Sequence, residues 1–146
     1  MNITIICIGK LKERYWVDAA AEYIKRLSKY CVLQIDELKE SVPESEGVSI
    51  VKRLKKEDYV IALEISGEEF DSEGLSEKIK ELSISGKSRV VFIIGGSDGL
   101  SGEVAMRADC RISFSKMTYP HQLMRIILLE QIYRSFKIIN NEKYHK

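Results

Sequence analysis

The sequence predicts an α/β fold: a mainly parallel sheet flanked by helices. Three observations predict it. Apolar segments of strand length alternate with segments whose apolar residues recur every three or four positions, the order of strand–helix–strand units. One strand-length run, Val90–Ile94, has five consecutive apolar residues, as a central strand covered on both faces requires. That run leads directly into Gly95-Gly96-Ser97-Asp98-Gly99, where glycine permits a sharp exit from a strand end.

The elements follow in order. Ile3–Ile8 is a short β-branched run ending at Gly9 and reads as a buried strand. Glu13–Tyr30 places Trp16, Ala19, Ala20, Tyr23, Ile24 and Leu27 on one stripe and reads as an amphipathic helix. Cys31–Leu38 reads as a second strand, Lys39–Gly47 with Pro43 as a polar loop, and Val48–Lys56 as a short helix with a lysine-rich outer face. Tyr59–Ile65 is a strand closed by Ser66-Gly67. Asp71–Ser83 is a helix on the Leu75, Ile79, Leu82 stripe, with Asp71 as its cap. After the strand Arg89–Ile94 come a short helix Ser101–Ala108 and a fifth strand Arg111–Phe114. Pro120–Ile139 is a long helix with proline at its first position. Asn140–Lys146 is a polar tail.

A chain of 146 residues fits one domain, with no internal repeat or linker. Apolar residues make up 45% and charged residues 31%, an ordinary balance for a soluble protein. A net charge of +1 argues against an unaided grip on nucleic acid, so any RNA site rests on local charge, a dimer surface or a partner surface. The basic clusters Lys10–Arg14 and Lys52–Lys56 read as solvated faces. Cys7, Cys31 and Cys110 are far apart and set in or beside apolar runs, which suits free thiols in a reducing compartment. With two histidines, His121 and His145, no metal cluster is expected. Nothing resembles a signal peptide or membrane span, so a cytoplasmic location is expected.

Ligands of open α/β sheets bind beyond the carboxyl ends of the strands. Three such ends stand out: Leu63–Gly67, Gly95–Gly99 and Ser115–Tyr119. The glycine stretch is neither the dinucleotide fingerprint nor a P-loop, and alone it fits a plain tight turn equally well. Phe114–Gln122 is a strand end, a short loop and a proline-opened helix. Backbone amides there could hold an adenine edge or a carboxylate, or the segment could be a simple helix start. The end Lys143-Tyr144-His145-Lys146 could stack on a base and neutralise phosphate, or could be a frayed terminus.

Taken together, three stretches carry a resemblance. They are Phe92–Leu100; Ile112–Arg125, continued through Leu129-Glu130-Gln131-Ile132-Tyr133-Arg134; and Tyr144-His145-Lys146. With Gly9-Lys10-Leu11 near the start, they resemble, over essentially the whole chain, the SPOUT-class methyltransferases that modify pseudouridine in large-subunit ribosomal RNA. The resemblance implies an α/β sheet with a deep C-terminal trefoil knot, a topology that no periodicity would reveal. It implies S-adenosylmethionine as cofactor, contacted by Leu63, Gly95 and the segment Phe114, Ser115, Lys116, Met117, Thr118 and Tyr119. It implies a homodimer in which the tail of one subunit lies near the cofactor of the other. The implied substrate is a pseudouridine in helix 69 of 23S rRNA, methylated at N3 within the assembled ribosome. The family carries glycine and proline before Tyr-His, where this chain has Asn140-Asn141-Glu142-Lys143, so a more mobile tail is expected. Lys146 stands where an arginine often ends the family.

Within that resemblance, His145 is a candidate general base, since its ordinary pKa lies near neutrality. Arg125 or Lys146 could stabilise the anionic base, and Tyr144 could stack on it. His121 is assigned a structural or hydrogen-bonding role at the cofactor loop. Two alternatives accompany this reading: a non-catalytic, cofactor-binding ribosome-assembly factor, and a flavodoxin-like binding module.

Overall fold

The computed structural model describes residues 1–87 and 89–146. Its elements are β1 (Asn2–Ile8), α1 (Arg14–Leu27), β2 (Val32–Leu38), α2 (Pro43–Val51), β3 (Tyr59–Glu69), α3 (Ser72–Ile84), β4 (Arg89–Ile94), α4 (Gly102–Arg107), β5 (Cys110–Ser113) and α5 (His121–Ile139). The five strands form one sheet in the order β2-β1-β4-β3-β5, and each neighbouring pair is parallel.

Alternation along the strands sends side chains to two cores. Ile3, Ile5, Cys7, Ile61, Val90, Phe92, Ile94 and Ile112 meet Ala20 and Leu27 of α1, Leu75 and Ile79 of α3, and Leu128, Leu129 and Ile132 of α5. Ile6, Ile8, Val60, Val91 and Ile93 meet Ile50 of α2 and Val104 of α4 on the opposite face. The unbroken run Val90–Ile94 is therefore explained: both faces of β4 are covered. Each fully buried aliphatic side chain contributes about 1.5–3 kcal/mol relative to exposure.

Two local expectations are corrected. Residues 39–47 are not all loop. Helix α2 begins at Pro43, with Glu44 and Glu46 in its first turn, and ends at Val51 rather than continuing to Lys56. Proline lacks only an amide that the first helical turn leaves unbonded anyway, so here it starts a helix rather than breaking one. Strand β3 does not close at Ser66-Gly67 but runs on to Glu69, with a register shift against β5 between Leu63 and Glu68. A Cβ added at Gly67 would lie 2.7–2.8 Å from the backbone of Arg111 and Ile112, so glycine here permits the close approach of two strands. Asp71 does cap α3, accepting from the Gly74 amide at 2.7 Å. Pro120 is the residue immediately before α5 rather than its first residue.

The end of the sheet opposite the strand carboxyl termini is tied by a buried ion pair. Asp58, just before β3, accepts from both Arg89 Nε and Nη2 and from the Lys55 amide. Burial alone would push its carboxyl up, but Arg89, the Lys55 amide and Arg107 together hold it below the ordinary carboxylate value.

The tail is held rather than loose. Asn141 takes the left-handed conformation (φ 54°) at the end of α5, a role asparagine tolerates. Glu142 accepts from Lys137 Nζ and from the Tyr30 hydroxyl, each at 2.8 Å. Side-chain anchoring replaces the restriction that proline would have supplied.

Candidate active site

Strands β4 and β5 end beside the bulge in β3, and the bulge and the chain leaving β4 and β5 supply the walls. The resulting cleft, about 960 Å³, is lined by Leu63–Ser66 from β3, Ile94–Ser97, Gly99 and Leu100 after β4, Ile112–Ser115 and Met117–Pro120 after β5, and His121 and Met124 from α5. This volume lies at the upper end of the ~300–1,000 Å³ typical of small-molecule and cofactor sites.

The β4 wall is a turn folded back on its own strand. The Gly99 amide donates to the Gly96 carbonyl at 3.1 Å, and Gly99 has φ +82°. A Cβ at Gly95 would sit 2.8 Å from Leu100 Cδ2 and 3.0 Å from the Gly99 carbonyl, so the turn closes only over a residue without a side chain. The β5 wall is shaped by Ser113 and Ser115. Ser113 Oγ donates to the Ser115 carbonyl and Ser115 Oγ accepts from the Met117 amide, both at 2.9 Å. Among the described residues, the amides of Lys116, Thr118 and Tyr119 have no protein acceptor. Backbone turns thus shape the cleft, and Leu63, Ile94, Leu100, Phe114 and Met124 give it apolar flanks.

The structure brings Leu63, Gly95, Phe114, Ser115, Met117, Thr118 and Tyr119 to this one cleft; Lys116 shares their loop but does not line it. Glu64, Ser66 and Ser97 lie in the strand ends Leu63–Gly67 and Gly95–Gly99 that the sequence singled out but were not named there as contacts, and Leu100, just beyond the glycine stretch, was missed. His121 lines the cleft, and its Nε2 would lie 3.6 Å from a Cβ on Gly9, which has φ +84°.

The remaining candidates lie elsewhere. Tyr144 donates to Glu130 Oε1 at 3.0 Å, sits edge-on to Tyr133 with centroids 4.9 Å apart, and is covered by the Arg134 guanidinium at 4.6 Å. Burial, reinforced by the Glu130 carboxylate, pushes its hydroxyl pKa up to about 12, so it remains a donor at neutral pH. Arg134 Nη1 lies 3.2 Å from His145 Nδ1, and His145 Nε2 is 3.8 Å from Glu73. Lys146 is exposed at the chain end. Glu130 lies six residues along α5 from Met124, the nearest residue of α5 that lines the cleft, roughly 9 Å at the helical rise, so a subunit's own tail packs outside its own cleft.

Arg125 is 3% exposed. Its Nη1 bonds Glu37 at 2.5 Å and its Nη2 bonds the Gly9 carbonyl at 3.0 Å, while Nε is buried without a partner among the described residues. It lines not the main cleft but a smaller hollow of about 390 Å³ beside α1. Cys7, beneath it, is pushed up to about 11 mainly by burial and remains a thiol. All three cysteines are free.

An open parallel sheet with such a cleft beyond its strand ends defines an α/β protein with a cleft of small-molecule size. Comparison specifies the class further. A family model described as "Predicted SPOUT methyltransferase" matches residues 1–145. The chain belongs to the SPOUT methyltransferase family, and the flavodoxin-like alternative is set aside. It is 52% identical, over the full length of both chains, to a Clostridium novyi protein named ribosomal RNA large subunit methyltransferase H. It is 48% identical, again over both full lengths, to the Clostridium perfringens protein named ribosomal RNA large subunit methyltransferase H 1. A Methanococcus maripaludis relative is 55% identical with the same coverage. A solved structure described as a probable methylase family protein from Haemophilus influenzae has a TM-score of 0.60 at 16% identity, covering 99% of this chain and 70% of its own. That likeness is one of fold.

Proposed function

We propose that this chain uses S-adenosylmethionine to methylate 23S rRNA, at N3 of a pseudouridine in helix 69 of the assembled ribosome. The single observation that carries the proposal is the cleft formed between the bulge of β3 and the chain leaving β4 and β5. The Clostridium relatives, named for large-subunit rRNA methylation, support the choice of substrate.

The residues present suit the cofactor. An adenosyl group needs apolar flanks and a few backbone donors and acceptors, and the cleft offers Leu100, Phe114 and Met124 beside the amides of Thr118 and Tyr119. When bound, the cofactor supplies an electrophilic methyl group. The chain supplies placement: the turn Gly95–Gly99 and loop Phe114–Tyr119 fix the direction from which a nitrogen can approach, and positioning accounts for much of the acceleration. His121, wedged between the cleft and Gly9, holds the first loop against the start of α5.

The substrate nitrogen must lose a proton; Glu64, Tyr119 and His121 are the titratable side chains that line the cleft, and this reading gives the proton instead to the tail. In this reading a homodimer completes the site. His145 of a second copy accepts the proton, Lys146 offsets the anionic base, and Tyr144 stacks on it. A tail that packs on Glu130, roughly 9 Å along α5 from its own cleft, suits service to a neighbour. Arg125, bound to Glu37 and the Gly9 carbonyl, is assigned to holding the Gly9 turn rather than to contact with the base. The trefoil knot belongs to the same reading, as do action in the cytoplasm and independence from metal. No helix among the described residues is long and apolar enough to cross a membrane.

The test is transfer of labelled methyl from S-adenosylmethionine to ribosomes lacking the modification, with mass mapping of 23S rRNA. One labelled pseudouridine in helix 69 is expected. Cofactor binding with no transfer to any ribosomal particle would point instead to the assembly-factor alternative.

A further inference from the structure

We infer that Glu46 and Gly47, consecutive residues of α2 outside the cleft, are the positioning element of the glycine turn, and that the cleft's cofactor affinity depends on them. The inference rests on the reading of this cleft as the S-adenosylmethionine site.

Three observations converge. First, Glu46 is only 4% exposed, and among the described residues no cation lies within ion-pair distance of it. A buried carboxylate is costly unless its surroundings require it. Its one recorded hydrogen bond is from the Ser41 amide to Oε2, at 2.8 Å. Second, the carboxylate abuts Gly96. A Cβ built there would lie 3.2 and 3.3 Å from the two Glu46 oxygens and 3.3 Å from an Ile8 methyl. Gly96 lines the cleft, whereas Glu46 does not. Third, the next residue touches the other end of the same loop. A Cβ at Gly47 would fall 2.1 Å from Ser101 Oγ and 2.9 Å from Ser101 Cβ. Ser101 caps α4 by accepting from the Val104 amide.

The segment between Gly96 and Ser101 is therefore backed at both ends by one dipeptide. The Glu46 carboxylate braces its start, and the bare Gly47 lets α2 approach its finish. Glycine is unfavourable inside a helix by about 1 kcal/mol relative to alanine, so Gly47 gains its place from this contact. Neither residue touches the ligand space. Their effect passes through the turn, which makes them positioning rather than catalytic residues.

Their role is read from a double-mutant cycle in the full chain, measuring S-adenosylmethionine affinity by calorimetry, melting without cofactor, and methyl-transfer kinetics. Gly96→Ala forces a methyl group against the carboxylate and should weaken cofactor binding about tenfold. Glu46→Ala withdraws the brace and should weaken it about fivefold. With the carboxylate gone, adding Gly96→Ala should cost less than about twofold more. Glu46→Gln, which keeps the shape and the acceptor for the Ser41 amide, should restore binding to near wild type. For Glu46→Ala, which leaves the residues lining the cleft unaltered, the rise should appear in KM for the cofactor, with melting without cofactor retained. Independent, multiplying effects of Glu46→Ala and Gly96→Ala would overturn the inference, as would wild-type affinity in all variants or a Gln variant as weak as the Ala variant. Failure of the wild-type chain itself to bind S-adenosylmethionine would instead overturn the reading of the cleft.

Discussion

The cleft and the tail are built by different means. The cleft is shaped by turns of the backbone: a glycine turn, a serine-folded loop and the bulge of a strand. The tail is made of side chains: Tyr144 against Tyr133, Arg134 over Tyr144, and His145 beside Arg134, gathered on Glu130. A backbone site holds its ligand by shape and tolerates little change where the chain folds on itself. A side-chain cluster can move and can be altered one group at a time. On the proposed function the difference becomes a division of labour, with the cleft assigned to binding and orienting and the tail to the proton and the base.

That division can be broken at either side, and the largest expected effect is at the tail. Removal of Tyr144–Lys146 should lower methyl transfer by about 10³-fold, in the range of a lost general base and its partners. Calorimetric affinity for S-adenosylmethionine should stay unchanged. A parallel loss of affinity would erase the division. At the cleft, Gly95→Val should weaken cofactor binding by about a hundredfold or more, since each 1.4 kcal/mol is a factor of ten. The cause is not a side chain filling the ligand's space, as the sequence alone would suggest, but its collision with Leu100 and the Gly99 carbonyl, which prises the turn open.

A third substitution sharpens the comparison by touching neither region. Asp58→Asn leaves Arg89 without its buried partner and should cost about 2–3 kcal/mol, somewhat below a fully buried pair because Arg89 is partly solvated. Cofactor affinity per folded molecule should be kept. The folded Asp58 carboxyl lies below its unfolded value, so its stabilisation is complete above about pH 4 and disappears as pH falls through the folded value. Acid melts of the variant should therefore be flatter than those of the wild type. The smallest effect belongs to Tyr144→Phe, which removes the bond to Glu130 and should cost about 1 kcal/mol of tail ordering. Transfer should fall a few-fold, read against unchanged cofactor titrations.

Legibility followed the same division. Alternation of periods exposed every strand and helix, because burial on one or two faces leaves a direct mark in the sequence. The misreadings fell where one residue has two uses. Pro43 can end or start a helix, and Gly67 can close a strand or let two strands approach. Gly95 and Ser115 could be placed at strand ends from pattern, but the cofactor they suit came from family resemblance. Glu46 was not legible at all: an acidic residue in a polar stretch reads as solvated, and only the packing of α2 against Gly96 reveals its burial. The commitment of Arg125 to Glu37 was equally hidden, since the two are 88 residues apart.

The most direct measurement is a crystal structure of the chain grown with excess S-adenosylmethionine. The account predicts the cofactor between Gly95–Leu100 and Phe114–Tyr119, its methyl directed toward the tail of a neighbouring copy. Well-ordered crystals at saturating concentration with that cleft vacant, or with the cofactor bound elsewhere, would contradict it.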